Sequence, residues 1–323
     1  MTQLLSLLQA AIVFGTVILF GAMGEILTEK SGNLNLGVPG IMYLGGIAGL
    51  AGSFLYEKSV TDPSALVGLL IALACSLAAS LLAGLLYSFL TITLRTNQNV
   101  TGLTLTIFGS GVANLYGGAL NQMAGGVGQI SVAATSSGFR ATLPFLSNVG
   151  VFSGLGFMVY LVIIFAFILS YFLSRTRMGL NLRAVGENPA TADAAGIPVV
   201  KYKYIAICLG SAITGMGGLY YVMDYIKGTW ANDAGIEKLG WLAVALVIFA
   251  RWKPLHAIWG SYLFGALFWL FFYIPNLTRS SQEIFKMLPY VVTIIVLVVV
   301  SLKKSRENEP PAHLGLPYFR EER

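Results

Sequence analysis

The sequence predicts an all-α fold, a polytopic transmembrane bundle of eight to ten helical segments. Three observations predict it. Of 323 residues, 56% are hydrophobic and only 11% are charged, whereas a soluble domain carries about a quarter of its residues as charges. Several apolar runs are long enough to cross a hydrocarbon layer of about 30 Å, which takes about 20 helical residues. The remaining charges gather in the short connections between those runs.

Nine candidate segments fall at 6–24, 36–54, 66–92, 100–119, 155–173, 203–222, 236–250, 255–273 and 287–302. Together they form one transmembrane domain over 1–302, with a polar tail at 303–323. The first lacks a basic leading region and a small-x-small cleavage site, so it is read as a retained helix. The 36–54 run is glycine-rich and is a candidate for a discontinuous helix. The 66–92 run is long enough for one tilted helix or a broken pair. Glycines inside apolar segments, such as Gly109 and Gly111 or Gly215 and Gly218, suit close helix packing first and unwound turns second.

The connection at 174–203 interrupts this apolar pattern. It carries Arg175, Arg177, Arg183, Glu187, Asp193, Lys201 and Lys203. Within it, Asn188 can cap a helix, Pro189 suits the first helical position and Gly196 can end the helix about two turns later. A short capped helix at a membrane surface has the form of a docking element. With this loop in the cytosol, alternation also places Lys30, Arg95, Arg251, Lys253 and the tail's Lys303, Lys304, Arg306, Arg320 and Arg323 inside. That is 14 of the 20 basic residues, as the positive-inside bias requires. Nine segments put the amino terminus outside and a tenth crossing reverses it, so that end stays open. The net charge of +6 is explained by these segment ends and does not call for nucleic acid.

Other polar residues admit two readings each. Glu25 and Glu29 end the first segment, as part of a gate or, more simply, as a helix end or interfacial salt bridge. Asn97, Gln98, Asn99, Thr101, Thr104 and Thr106 lead into the fourth segment, with Ser110 and Asn114 beyond. These could bind a polar solute or tie helices together. Aromatics such as Trp230, Trp252, Trp259 and Trp269 near segment ends fit interfacial anchors. Cys75 and Cys208 read as small buried hydrophobes, and neither His256 nor His313 suggests a catalytic centre. No phosphate-binding loop, HExxH, paired-cysteine or dinucleotide motif occurs in the chain.

The stretches GEILTEKSGNLNLGVPGIMYLGG (Gly24–Gly46) and GLNLRAVGENPATADAAGI (Gly179–Ile197) resemble the permeases of ATP-binding-cassette (ABC) importers for simple sugars, branched-chain amino acids and nucleosides. The likeness is greatest to the nucleoside permeases associated with basic membrane lipoproteins. It runs from the first segment to Leu302. It implies a permease in a bacterial cytoplasmic membrane that binds no cofactor of its own. A cytosolic ABC ATPase subunit would bind ATP and Mg, and a substrate-binding lipoprotein would deliver solute from outside. A related second permease would complete a heterodimer, with a homodimer as the alternative. Carried onto this chain, Pro189–Ala195 is the coupling helix. Arg183, Gly186, Glu187, Asn188, Pro189, Ala192, Asp193 and Gly196 then form the ATPase-contact loop. Asn35, Pro39, Asn97, Asn99, Thr101 and Asn114 are candidate translocation-pathway residues. Two departures stand out. Pro39-Gly40 replaces a common Glu-Gly, with Pro39 expected to break the chain locally, and Thr191 replaces a common alanine. The implied substrates are nucleosides, then ribose or galactose, then branched-chain amino acids. A stand-alone secondary transporter and a membrane scaffold are the rival classes.

Overall fold

Apolar runs of this length become helices because hydrocarbon offers their N–H and C=O groups no partner outside the segment. The computed structural model describes residues 2–126, 130–142, 153–230, 234–274, 278–302 and 309–319. Its helices are α1 (Thr2–Glu29), α2 (Val38–Ser59), α3 (Ala65–Ser88), α4 (Gln98–Met123), α5 (Ala133–Phe139), α6 (Phe157–Arg175), α7 (Arg177–Glu187), α8 (Pro189–Ala194), α9 (Val199–Tyr220), α10 (Gly235–Phe249), α11 (Pro254–Trp269), α12 (Arg279–Lys286) and α13 (Leu288–Leu302). Single π-helical turns extend α3 through Thr93 and α9 through Tyr225.

Among the described residues, seven helices are long and apolar enough to cross a membrane: α1, α2, α3, α4, α6, α9 and α11. The other two expected segments are the 15-residue helices α10 and α13. Each rises about 22 Å, less than the hydrocarbon layer. One local expectation is corrected. The 36–54 run is one unbroken helix from Val38, because Pro39 sits in its first turn, where a missing N–H leaves no intrahelical bond unmade. The 66–92 run takes the first of its two readings, one helix, with its last turn widening to π geometry.

Helices α2 and α9 form the interior, with 72% of the central window of each buried. Helices α3 and α6 lie outside, at 22% and 33%. Glycine lets the inner helices meet backbone to backbone. A Cβ at Gly24 of α1 would collide with the Gly210 carbonyl of α9. One at Gly45 of α2 would sit 2.6 Å from the Gly215 oxygen. Without water to expel, such close packing is what holds membrane helices together.

The ends of the bundle separate cleanly. At one end the turn after α1, the start of α4, helices α7 and α8, the 250–253 turn and the 309–319 segment meet. At the other, Gln9 Nε2 donates to the Ser153 carbonyl at 2.9 Å and Glu57 accepts from the Thr135 N–H at 2.7 Å. The amino-terminal part of α1 therefore lies opposite α8, as an odd number of passes requires. Lys303, Lys304, Arg306, Arg320 and Arg323 lie outside the described residues, as do 127–129 and 143–152 of the expected outer loop.

Substituting Gly24 by Val should lower the stability of the detergent-solubilised chain by about 1–3 kcal/mol, the usual effect of overpacking. Gly111→Ala, whose Cβ would meet open space, should leave it unchanged or slightly raised. Thermal unfolding of both variants checks this, and equal melting temperatures would contradict the backbone contact.

Candidate functional site

The short helix α8 is shaped at both ends by its own sequence. Asn188 is extended, at φ −151° and ψ 94°, and its Oδ1 accepts the Thr191 N–H at 3.0 Å. Pro189 follows at the first helical position. At the other end Gly196 takes φ +82°, a left-handed conformation that other residues adopt at a cost of about 1–2 kcal/mol. Its N–H reaches the Asp193 carbonyl and that of Ile197 reaches Ala192, both at 3.0 Å. This paired arrangement is a Schellman cap, completed by apolar contact of Ile197 with the Ala192 cluster. The helix ends at Ala194, with Ala195 as its cap. Six residues make fewer than the two turns expected.

Sequence reasoning missed the helix just before it. Helix α7 is capped by Thr176, whose Oγ1 accepts the Gly179 N–H at 3.1 Å, and buries Leu182 and Val185. The signal was a capping threonine followed by apolar residues three apart. Gly179, Asn181 and Gly186, all weak helix formers, obscured it. Gly186 is also where α7 meets α1's exit turn, since a Cβ there would strike the Lys30 carbonyl.

Residues 309–319 of the polar tail form a strap beneath α8. The His313 N–H donates to the Gly186 carbonyl at 3.1 Å, and the Gly315 N–H to that of Gly32 at 3.3 Å. The Ala312 N–H reaches Glu187 Oε2 at 3.2 Å, and the Tyr318 hydroxyl donates to Asp193 Oδ2 at 3.0 Å. Tyr318 packs on Val185, Ala192 and Val199. The Arg95 guanidinium lies 4.7 Å from the Phe319 ring centre. The opposite surface of α8 stays open: Ala190, Thr191, Ala194, Ala195 and Gly196 are exposed, as are Glu187 and Asn188. Arg183 and Asp193 are half-buried, while Gly186, Pro189 and Ala192 are buried.

The pathway candidates do not form one site. Asn35 is buried and local: its N–H donates to Glu25 Oε1 at 3.0 Å and its Oδ1 accepts the Gly37 N–H at 2.9 Å. Pro39 is buried against Gly240. Asn97 caps α4, accepting from the Asn99 and Val100 N–H groups at 3.0 and 3.1 Å. Thr101 donates to the Asn97 carbonyl at 2.8 Å. Asn99 and Asn114 are exposed on α4, 15 positions apart. Glu25 and Glu29 are both buried. Glu29 accepts a hydrogen bond from the Trp252 indole, so both carboxylates brace the helix end. Burial pushes the neighbouring Lys30 ammonium down in pKa, Glu187 opposes that, and Arg183 and Lys253 reinforce it.

The family model for the branched-chain amino acid transport system / permease component matches residues 7–297. The chain belongs to this family. It is a multi-pass membrane protein and serves as the permease of an ABC importer, a class that works with an ATPase and a substrate-binding protein. The permease is 32% identical over 263 residues to a Haloferax volcanii protein provisionally named as a glucose ABC transporter permease, covering 81% of this chain and 75% of the relative. It is 30% identical to the Lactococcus lactis nucleoside ABC transporter permease NupC, covering 89% and 90%. It is 28% identical to the Bacillus subtilis guanosine ABC transporter permease NupQ, covering 99% of each.

Removing the α8 cap with Asn188→Ala should cost the helix about 1 kcal/mol. Hydrogen exchange at the Thr191 and Ala192 amides of the purified permease should then speed up about five-fold, with the amides of α9 unchanged. Tyr318→Phe should loosen α8 in the same assay by a smaller factor, since one hydrogen bond to a carboxylate is lost. Unaltered exchange in both variants would show that neither contact holds the helix.

Proposed function

We propose that this permease carries nucleosides, with α8 as the coupling helix that an ABC ATPase moves. The observation that carries the coupling role is the form of α8: capped at both ends, strapped from beneath by Tyr318 and open on its outer surface. A rigid element of that kind transmits a push from a docked partner to α7 and α9 without dissipating it. Arg183, Gly186, Glu187, Asn188, Pro189, Ala192, Asp193 and Gly196 then divide into two groups. Asn188, Pro189 and Gly196 shape the helix, while Arg183, Gly186, Glu187, Ala192 and Asp193 seat it on the bundle. The nucleoside assignment is supported by two relatives named for nucleoside and guanosine transport, one of them covered almost end to end. A sugar is the second reading, favoured by the glucose-named relative from Haloferax volcanii.

The wall of the solute path is assigned to the outer face of α4. Outer helices of this bundle are strongly apolar: α3 and α6 have mean hydropathies of 2.5 and 2.4 with little burial. Helix α4 is also only 33% buried, yet its mean hydropathy is 1.2, the lowest of the seven. Its exposed side mixes Thr104, Asn114 and Gln122, with the capping Asn97 at its start, among the apolar Val100, Ile107, Phe108 and Leu115. Amides and hydroxyls facing lipid without partners are unfavourable. Water and a second permease, a related chain in a heterodimer, satisfy them instead. A lipoprotein at the outer surface of a bacterial cytoplasmic membrane and ATP with Mg in the partner ATPase complete the assembly.

Uptake of radiolabelled guanosine, uridine, ribose and glucose in cells with and without this chain tests the reading. Loss of nucleoside uptake alone on deletion supports it, and loss of sugar uptake alone replaces it with the second. Gly196→Val should abolish uptake while the protein stays in the membrane. Asn114→Leu should reduce uptake about five- to thirty-fold, the equivalent of 1–2 kcal/mol for a lost polar contact. Full uptake by both variants would remove α8 and α4 from their assigned roles.

A further inference from the structure

At the same end of the bundle as α8, a cleft of about 610 Å³ opens between the end of α6, helix α7 and the turn leading into α11. Four cations line it: Lys30, Arg183, Arg251 and Lys253. Two carboxylates oppose them, Glu187 and Glu309. Glu187 already accepts the Ala312 N–H. The Arg183 Nε is buried with no hydrogen-bond partner. Arg251 and Trp252 both hold left-handed backbone, at φ 56° and 54°. That conformation is unfavourable for non-glycine residues. It lets Trp252 reach Glu29 while Arg251 and Lys253, on either side of it, line the cleft. The positive-inside bias accounts for cations in these loops. It does not account for four of them meeting in one cleft, two of them on a strained turn.

The surroundings of the cleft bear on what it would hold. Leu173, Leu180 and Leu255 form its apolar wall. One helical turn further into the membrane from Ser170 and Leu255, the flanking helices expose Phe167 and Trp259. Helix α11 starts here at Pro254 with no side-chain cap on its amino-terminal turn, so its positive dipole end adds to the field. Cations above an apolar groove at the hydrocarbon boundary match an anionic phospholipid, with its phosphate among the arginines and its acyl chains along α6 and α11.

We propose that this cleft binds the phosphate headgroup of an anionic phospholipid, seated against the α7 helix that leads into α8. Native mass spectrometry of the full-length permease in detergent, with phosphatidylglycerol, phosphatidylethanolamine or inorganic phosphate added, tests it. Retention of phosphatidylglycerol over phosphatidylethanolamine is expected. Arg251→Gln with Lys253→Gln should weaken that retention by about ten-fold or more, since each cation near a lipid surface contributes about five-fold. Lys58→Gln with Lys238→Gln, at the other end of the bundle, should leave it unchanged. Glu309→Gln removes an opposing charge on the exposed strap and should strengthen retention, which keeps the test decisive if the double variant fails to fold. Equal retention of both lipids, or no change in the cleft variants, would overturn the proposal. So would displacement of the lipid by inorganic phosphate at equal concentration, which would mark a site for free phosphate.

Discussion

The arrangement depends on backbone-to-backbone contact among α1, α2 and α9. At Gly24 against Gly210, Gly45 against Gly215 and Gly46 against Gly218, a single added Cβ would overlap a carbonyl oxygen or crowd it. In hydrocarbon no hydrophobic gain separates packed from unpacked helices, so many short dispersion contacts must supply the association. These contacts also leave no slack. Helix α8 is four residues from the start of α9, and α9 is held against α1 and α2 along most of its length. In the proposed coupling role, a displacement of α8 would move α9 together with α1 and α2, because a carbonyl seated against an α-carbon cannot slide past it without first separating the helices.

The same principle appears at a smaller scale where α7 meets the turn after α1. Gly186 lies against the Lys30 carbonyl and Gly32, and the strap's His313 and Gly315 N–H groups bond to the carbonyls of these two glycines. Two glycines thus bring three chain segments together with their polar groups satisfied, as buried backbone requires. The contacts join α8's support to α1 by main-chain bonds, which do not depend on side-chain identity. Side chains add specificity around that frame, with Tyr318 on Asp193 and Ala192.

Much of this was legible in the sequence, for local physical reasons. Each long apolar run became a helix because length and hydropathy alone decide that question in a membrane. The cap residues of α8 were legible because Asn188, Pro189 and Gly196 act within their own turn. Pro39 misled because the effect of proline depends on its position within the helix, and the start of α2 could not be placed to within a residue. Helix α7 was hidden by residues of weak propensity, which tertiary contact with the 30–32 turn overrides. The strap was illegible: three of its bonds run from the backbone N–H groups of Ala312, His313 and Gly315 to residues more than 100 positions away, and backbone donors leave no mark on composition.

The exposed surface also shows where the chain changes environment. Helix α3 turns Leu66, Leu70, Leu82, Leu85 and Phe89 outward, an unbroken lipid-like face. Its sequence neighbour α4 turns out Thr104 and Asn114 among the apolar Val100, Ile107, Phe108 and Leu115. A groove of about 440 Å³ runs between them, with Leu86, Leu90 and Phe108 beside Asn97 and Thr104. Composition normally follows medium, because a hydroxyl or amide facing hydrocarbon without a partner is costly. The amides and hydroxyls of α4 therefore need partners that the lipid-like face of α3 does not. In the proposed permease pair, the groove between the two helices would be the seam at which bilayer gives way to the second permease.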